Sequence, residues 1–389
     1  MKSKASYYSL LLFAGLILLG CNPQPETPKD TFTVSGTIKG LDSEFMSRSY
    51  KDKDDNWMRD TIWVENESFT YTAKINEPTH IIFWPNIERT MKRSGGGYYP
   101  VKSGQFAFLA SPGDEIKFSG EITDFVDAYP SGTKANEELA SINREIFPKM
   151  NESINLRLKI NDLEEDDEIG KGLFEKAISE LDSLVLQAKK EFVEANPTSQ
   201  AAAWYLSDFM LRSQFPQEEA IVMFNGLDSS LSGYTFYDEV AQRVAGIEST
   251  KEGKIMPNFS TDATVNGETF VLNDLRGKYV LIDFWGTWCA PCIAEMPTVK
   301  EYQEKYADKL VVVGVNNGDT IEKIKNFTEP KGYDWLQIKD KNGIEDLVLK
   351  LNVAGFPTKF ILSPEGEILK RYIGNTEAAF EALDELLGD

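Results

Sequence analysis

The stretch Tyr279-Val280-Leu281-Ile282-Asp283-Phe284-Trp285, followed after two residues by Trp288-Cys289-Ala290-Pro291-Cys292, decides the reading of this chain. Its first seven residues are apolar but for Asp283, β-branched at intervals, and short enough for a fully buried strand. Ile293-Ala294-Glu295-Met296 then continue with good helix formers before Pro297. A Cys-x-x-Cys therefore stands where a strand turns into a helix. Two thiols separated by two residues on a first helical turn can close a disulfide with little backbone motion. Free N–H groups at the helix start favour a thiolate on the first sulfur. That is the chemistry of thiol–disulfide exchange.

Working outward, the 389 residues are too many for one ordinary core and suit two or three domains. The net charge of −21 makes the chain soluble and repels nucleic acid, and no basic cluster offsets it. Residues 1–20 carry Lys2 and Lys4, then the apolar run Leu10–Leu19, the pattern of a secretory signal too short to span a bilayer as a mature helix. It ends in Leu18-Leu19-Gly20-Cys21, which resembles the bacterial lipobox, whose cysteine is lipidated and becomes the new N-terminus. The Pro-rich segment that follows, within residues 22–30, suits a tether. The expectation is a lipid-anchored protein of a bacterial cell envelope, facing the periplasm. Of three cysteines, Cys21 goes to the lipid, which leaves Cys289 and Cys292 for each other and none for a structural disulfide.

The fold class expected is multidomain α+β: an N-terminal antiparallel β domain, a helical middle segment and a C-terminal α/β domain. Over residues 31–128 the apolar period is two, with a hairpin through Ile62 and Val64, the turn Glu65-Asn66-Glu67-Ser68, and Phe69, Tyr71 and Ala73. Phe106 and Phe108 lead into the turn Ser111-Pro112-Gly113-Asp114, then Ile116 and Phe118. Over residues 129–250 the period is helical, clearest from Phe174 to Phe192 and stopped by Asn196-Pro197-Thr198. The acidic run Glu164–Glu168 reads as a solvated connection, and the aromatic residues of this segment read as core. Over residues 251–389 strands and helices alternate, including a helix expected at Ile344–Leu351, as in a mixed α/β sheet.

Residues Pro257 to Asp389 resemble the thioredoxin fold, in its TlpA/ResA-like branch of membrane-tethered thiol:disulfide oxidoreductases. The motifs are Pro257-Asn258-Phe259, Leu275-Arg276-Gly277-Lys278, Phe284 through Cys292, Glu295-Met296-Pro297 and Gly355-Phe356-Pro357-Thr358. The β domain has the turn spacing of an uncharacterised domain found before thioredoxin domains in envelope lipoproteins. The resemblance implies that Cys289, at the helix start and more exposed, attacks a substrate disulfide, and that the more buried Cys292 resolves the adduct. Ala290-Pro291 differs from the thioredoxin dipeptide by one methyl group, which points to the reducing side of the range. A cis Pro357 would face the disulfide and, with Phe356, dock an extended substrate through its main chain. Asp283 matches thioredoxin's buried aspartate, whose raised pKa suits it to take the proton of Cys292. Glu295, three residues past Cys292, matches an acid kept beside the thiols in ResA-like proteins. Trp288 should cover one side of the disulfide, with Trp285 packed under the turn.

The enzyme expected is thus a thiol:disulfide oxidoreductase reducing protein disulfides, with apocytochrome c thiols among the implied substrates and a DsbD-type membrane electron donor. Its redox group is the Cys289–Cys292 pair, with no other cofactor. No metal is expected, since a tetrahedral zinc site needs four ligands and the single histidine, His80, lies in the β domain as a strand-end packing residue. Two other directions stay open: an oxidase or isomerase using the same site, or a non-enzymatic envelope scaffold with a redox-sensitive domain. A peroxidase does not fit, because Pro-x-x-x-Thr is missing before the cysteine: Asp283 lies four residues ahead of Thr287.

Overall fold

The computed structural model describes residues 28–52, 56–99, 101–212, 214–341, 345–374 and 377–388. Cys21, the signal segment and most of the tether lie outside the described residues. Among those described, no helix is long and apolar enough to cross a membrane.

The N-terminal part runs β1 (Thr31–Lys39), β2 (Phe45–Lys51), β3 (Trp57–Glu65), β4 (Ser68–Lys74), β5 (Thr79–Phe83), β6 (Lys92–Ser94), β7 (Gly97–Tyr99), β8 (Phe106–Ala110), β9 (Glu115–Ile122) and β10 (Val126–Ser131). A six-stranded sheet has the order β10-β9-β1-β4-β3-β2, and β5 pairs with β8 beside it. The expected β3–β4 hairpin is present, with Asn66 and Glu67 both at positive φ (51° and 60°), the backbone of a tight hairpin turn. Period-two alternation sends Phe32, Phe69, Phe83, Phe106, Phe108 and Phe118 into one core. One pairing departs from the antiparallel pattern: β1 runs parallel to β9. Alternation has the same period in both pairings, so it does not distinguish them. The strand β10 also runs past residue 128, where the sequence placed the end of this domain. Pro130 sits inside it, tolerated because β10 lies at the sheet edge, where a missing N–H costs no ladder bond.

The middle segment is α1 (Lys134–Asn161), α2 (Glu168–Ala195), α3 (Gln200–Leu211), α4 (Gln217–Gly226) and α5 (Thr235–Ser249). Thr133, Asp167 and Ser199 cap the first three through their side-chain oxygens, and Asn196 ends α2 as expected. The acidic run is the α1–α2 connection. The core of this segment also takes in Leu109 and Tyr129 of the β domain. Buried Asn136 of α1 accepts from the Leu109 N–H (2.9 Å) and donates to the Leu109 carbonyl (2.7 Å), completing the outer edge of β8. His80 stacks on Trp204 of α3 at 4.2 Å, so it is the packing residue the sequence suggested.

The C-terminal part holds β11 (Ser260–Thr261), β12 (Phe270–Val271), β13 (Tyr279–Trp285), α6 (Ala290–Lys305), β14 (Leu310–Asn316), α7 (Ile321–Thr328), β15 (Leu336–Lys339), α8 (Leu347–Lys350), β16 (Thr358–Leu362), β17 (Ile368–Ile373) and α9 (Glu377–Leu387). Its mixed sheet has the order β15-β14-β13-β16-β17. In the central β13, Val280, Ile282 and Phe284 face one core, while Leu281 and Trp285 face the other, together with the cysteines and Met296 of α6. The expected helix at Ile344–Leu351 is shorter in the structure. Asp346 caps the Leu349 N–H at 3.0 Å, which sets the start at Leu347, and Asn352 leaves the helix at positive φ. Gly246 of α5 lies so close to α8 that an added Cβ would stand 2.7 Å from the Lys350 carbonyl oxygen. The helical segment therefore presses directly on the C-terminal domain.

Candidate active site

The strand β13 ends at Trp285 and the chain turns through Gly286, Thr287 and Trp288 into α6. Cys289 is the N-cap of that helix: its N–H donates to the Gly286 carbonyl, and its sulfur accepts from the Cys292 N–H at 3.3 Å. Pro291 occupies the first turn, where a missing N–H leaves no helix bond unmade. Cys289 and Cys292 are joined by a disulfide, with S–S 2.06 Å and Cα–Cα 5.3 Å. Cys289 is 5% exposed and Cys292 2%. Cys289 is thus slightly the more exposed of the two, and in this closed form it packs into the core shared with Trp285, Cys292 and Phe356.

The turn is held from the loop after β14. Asp319 accepts from both the N–H and the hydroxyl of Thr287, each at 2.8 Å, while Asn316 and Lys323 also donate to it. Burial alone would raise the Asp319 pKa, but these donors hold it below the ordinary value. Trp288 donates its indole N–H to the Asn317 carbonyl (2.9 Å), packs edge-on against Phe356 at 5.1 Å, and remains 56% exposed. Trp285 lies fully buried under the turn and donates to Gln337 at 2.9 Å. The Phe356–Pro357 peptide is cis.

Behind the cysteines lies a group of three charged side chains. Asp283 of β13 faces Lys359 of β16 directly across the ladder. The Lys359 ammonium, fully buried, donates to Asp283 at 2.8 Å and to Glu295 of α6 at 3.0 Å. Burial raises the Asp283 pKa; Lys359 pulls it back only part of the way, and Glu295 adds to the rise. Burial works against the Lys359 ammonium, yet its two carboxylate partners keep its pKa above the ordinary value. Two acids thus share one base, and the buried Asp283 takes up a proton more readily than an ordinary carboxylate does. Among the described residues, no group of three or more His, Cys, Asp and Glu is arranged to hold a metal.

Sequence comparison speaks to this arrangement. Over 146 residues the chain is 37% identical to the thioredoxin-like protein YneN of Bacillus subtilis, which covers 37% of this chain and 82% of that protein. It is 36% identical over 143 residues to the thiol-disulfide oxidoreductase ResA of the same organism, covering 36% of this chain and 76% of ResA. The chain belongs to the ResA-like thiol-disulfide oxidoreductases. Residues 253–371 match the AhpC/TSA family, and residues 32–139 match a domain of unknown function, DUF4369. A solved thioredoxin domain of a thiol-disulfide oxidoreductase from Bacteroides vulgatus aligns at 25% identity with a TM-score of 0.33, over 36% of this chain and 99% of that one.

For this ResA-like enzyme the structure places Cys289, Ala290, Pro291, Cys292 and Glu295 on the first turns of α6, sets Trp288 against Phe356, which precedes cis Pro357, and joins Asp283 to Glu295 through Lys359. Cys21 lies outside the described residues. Sequence reasoning missed Lys359, which links the two acids, and Asp319, which clamps the turn. The signal for Lys359 was present: a lysine inside the apolar run Phe356–Leu362, two residues past the proline expected to face the disulfide.

Proposed function

We propose that this enzyme is a reductase of protein disulfides in a bacterial envelope, anchored through a lipid on Cys21. The observation that carries the chemistry is the closed Cys289–Cys292 disulfide at the start of α6, accompanied by buried Asp283 and Lys359 and the half-buried Glu295. In the reduced enzyme the Cys289 thiolate attacks one sulfur of a substrate disulfide. A Cys289–substrate bond forms, and the other substrate sulfur leaves as a thiolate and takes up a proton. Cys292 then gives its proton to Asp283, attacks Cys289 and closes the enzyme disulfide, releasing the second substrate thiol. Two electrons pass to the substrate. They are restored by an external dithiol, for which a DsbD-type membrane donor is the reading, and the cysteine pair is the only redox group the cycle needs.

The Ala290-Pro291 dipeptide supports the reducing direction, and the lipobox-like sequence supports the anchor and the periplasmic location. Apocytochrome c is among the proposed substrates, beside other oxidised envelope proteins. A reduction potential near that of thioredoxin, about −270 mV, is expected. Trapping with Cys292→Ala should hold substrates on Cys289 as mixed disulfides. A potential near the strong-oxidant end, about −120 mV, would overturn the reductase assignment in favour of the oxidase.

A further inference from the structure

The hairpin of β2 and β3 leaves its sheet before it ends. The two strands pair along all of Phe45–Lys51, whereas β3 meets β4 only at Val64 and Glu65, and β4 stays with β1. From Trp57 to Trp63 β3 pairs with β2 alone, an arm-like ribbon roughly 20 Å long at ~3.3 Å per residue, braced by the Ser47–Trp84 bridge, by the hydrogen bond from Tyr71 to Asp60 and by buried Ile62. A free two-stranded ribbon has little stability of its own. The end of β2 is also fastened to the redox domain: the Lys51 ammonium donates to the Gly318 carbonyl at 2.8 Å, across 267 residues of sequence.

That fastening point adjoins the active turn. Gly318 follows Asn317, whose carbonyl holds the Trp288 indole. A Cβ placed on Gly318 would stand 3.2 Å from the Trp288 indole nitrogen and 3.7 Å from the Lys51 nitrogen. Lys51 in turn lies over the Trp57 ring at 5.6 Å. Trp57, Lys51, Gly318, Trp288 and Phe356 therefore form one continuous row ending at the disulfide. Trp57 is 73% exposed and Trp288 56%. Farther along the same face of the arm, Trp63 is 67% exposed and packs edge-on against Phe45. Two large indoles held in water on a tethered arm have no core to serve.

We propose that the β2–β3 arm is a substrate-recognition element of the redox site, gripping the apolar segment beside the reactive cysteine of a non-native, disulfide-bearing polypeptide. The proposal rests on the reductase reading above. The row is aromatic and open, so it selects for apolar side chains on an extended chain. A folded partner keeps such side chains inside, whereas a misoxidised, unfolded one presents them next to its cysteines. The edge of β3 from Trp57 to Trp63 carries no further strand among the described residues, so the same chain can add to it by main-chain bonds.

The test compares full-length wild type, Trp57→Ala and Lys51→Ala, recycled by dithiothreitol, on three disulfides. These are bis(2-hydroxyethyl) disulfide, an unstructured 20-residue peptide with its disulfide flanked by Leu and Phe, and the same peptide with Ser in their place. Trp57→Ala should lower kcat/KM on the apolar peptide roughly tenfold, mainly through KM, as loss of an aromatic anchor does. Lys51→Ala should act in the same direction. Both variants should reduce bis(2-hydroxyethyl) disulfide at the wild-type rate, which shows that the active turn is intact. Wild-type rates on the apolar peptide in both variants would overturn the proposal, as would an equal loss on all three disulfides. So would a wild type that prefers neither peptide, with the reductase reading left standing. A wild type unable to reduce any of the three would overturn that reading and this inference with it.

Discussion

Replacing Lys359 by Met removes the one cation from between Asp283 and Glu295 while keeping most of the side-chain volume. Glu295 is 20% exposed and can turn to water, but Asp283 is 3% exposed and cannot. Asp283 already has a raised pKa with the ammonium 2.8 Å away. Without it, the carboxyl pKa climbs further, and each unit of climb costs about 1.4 kcal/mol at pH values above it. Removing one member of a buried pair typically costs 3–5 kcal/mol, so we expect a loss of about 3 kcal/mol at pH 8. A folded-state pKa above the unfolded one means that stability is kept at low pH and lost as pH rises. The penalty of Lys359→Met should therefore shrink to about 1 kcal/mol by pH 5, where the raised pKa leaves less of Asp283 as carboxylate. Thermal unfolding of the oxidised protein, followed by tryptophan fluorescence at the two pH values, reads this directly. A Tm drop of roughly 10 °C at pH 8 and a much smaller one at pH 5 is expected. Adding Asp283→Asn should recover part of the loss. A drop of equal size at both pH values would refute the idea that an uncompensated carboxylate is its source.

Other outcomes follow from the same structure. Asp283→Asn should slow the second step, release of substrate from Cys289, at pH 7 while leaving mixed-disulfide formation unchanged, as read by rapid-quench trapping. His80 is half-buried against Trp204 and desolvation pushes its pKa down to about 3, so the unfolded chain takes up a proton below pH 6.5 that the folded one refuses; stability should fall from there toward pH 3, and His80→Phe should flatten that limb in urea titrations. Burial, with Asp346 beside it, raises the Asp340 pKa to about 7, so stability should decline as pH rises from 4 to 7; Asp340→Asn should remove that slope in Tm measurements. Asp319→Ala should free Thr287 and Trp288, seen as increased quenching of tryptophan fluorescence by acrylamide.

The thioredoxin-like part was legible because its signals are local. A buried strand, two cysteines one helical turn apart and a proline beside a strand need no knowledge of distant contacts. The β3–β4 hairpin and the stop of α2 at Asn196 were legible for the same reason. Lys359 stands out in its apolar run, but its role does not: a lysine within a strand ordinarily reads as an edge or a snorkelling residue. Its full burial depends on carboxylates 76 and 64 residues away. The parallel pairing of β1 with β9 was hidden because strand period carries no direction. The end of β10 was masked by Pro130, whose tolerance depends on where the sheet stops. Phe356, 67 positions downstream, packs against the cluster that buries Cys289, which motif spacing does not encode.

The close approach of α5 to α8 at Gly246 has a consequence for anyone who would borrow this catalyst. With Arg243 also donating to the Val353 carbonyl, the ground on which the proline loop stands is supplied partly by the neighbouring bundle. A transplant cut at the seam before residue 251 would expose that footing to water. The smallest portable unit therefore begins upstream, at the first turn of α5.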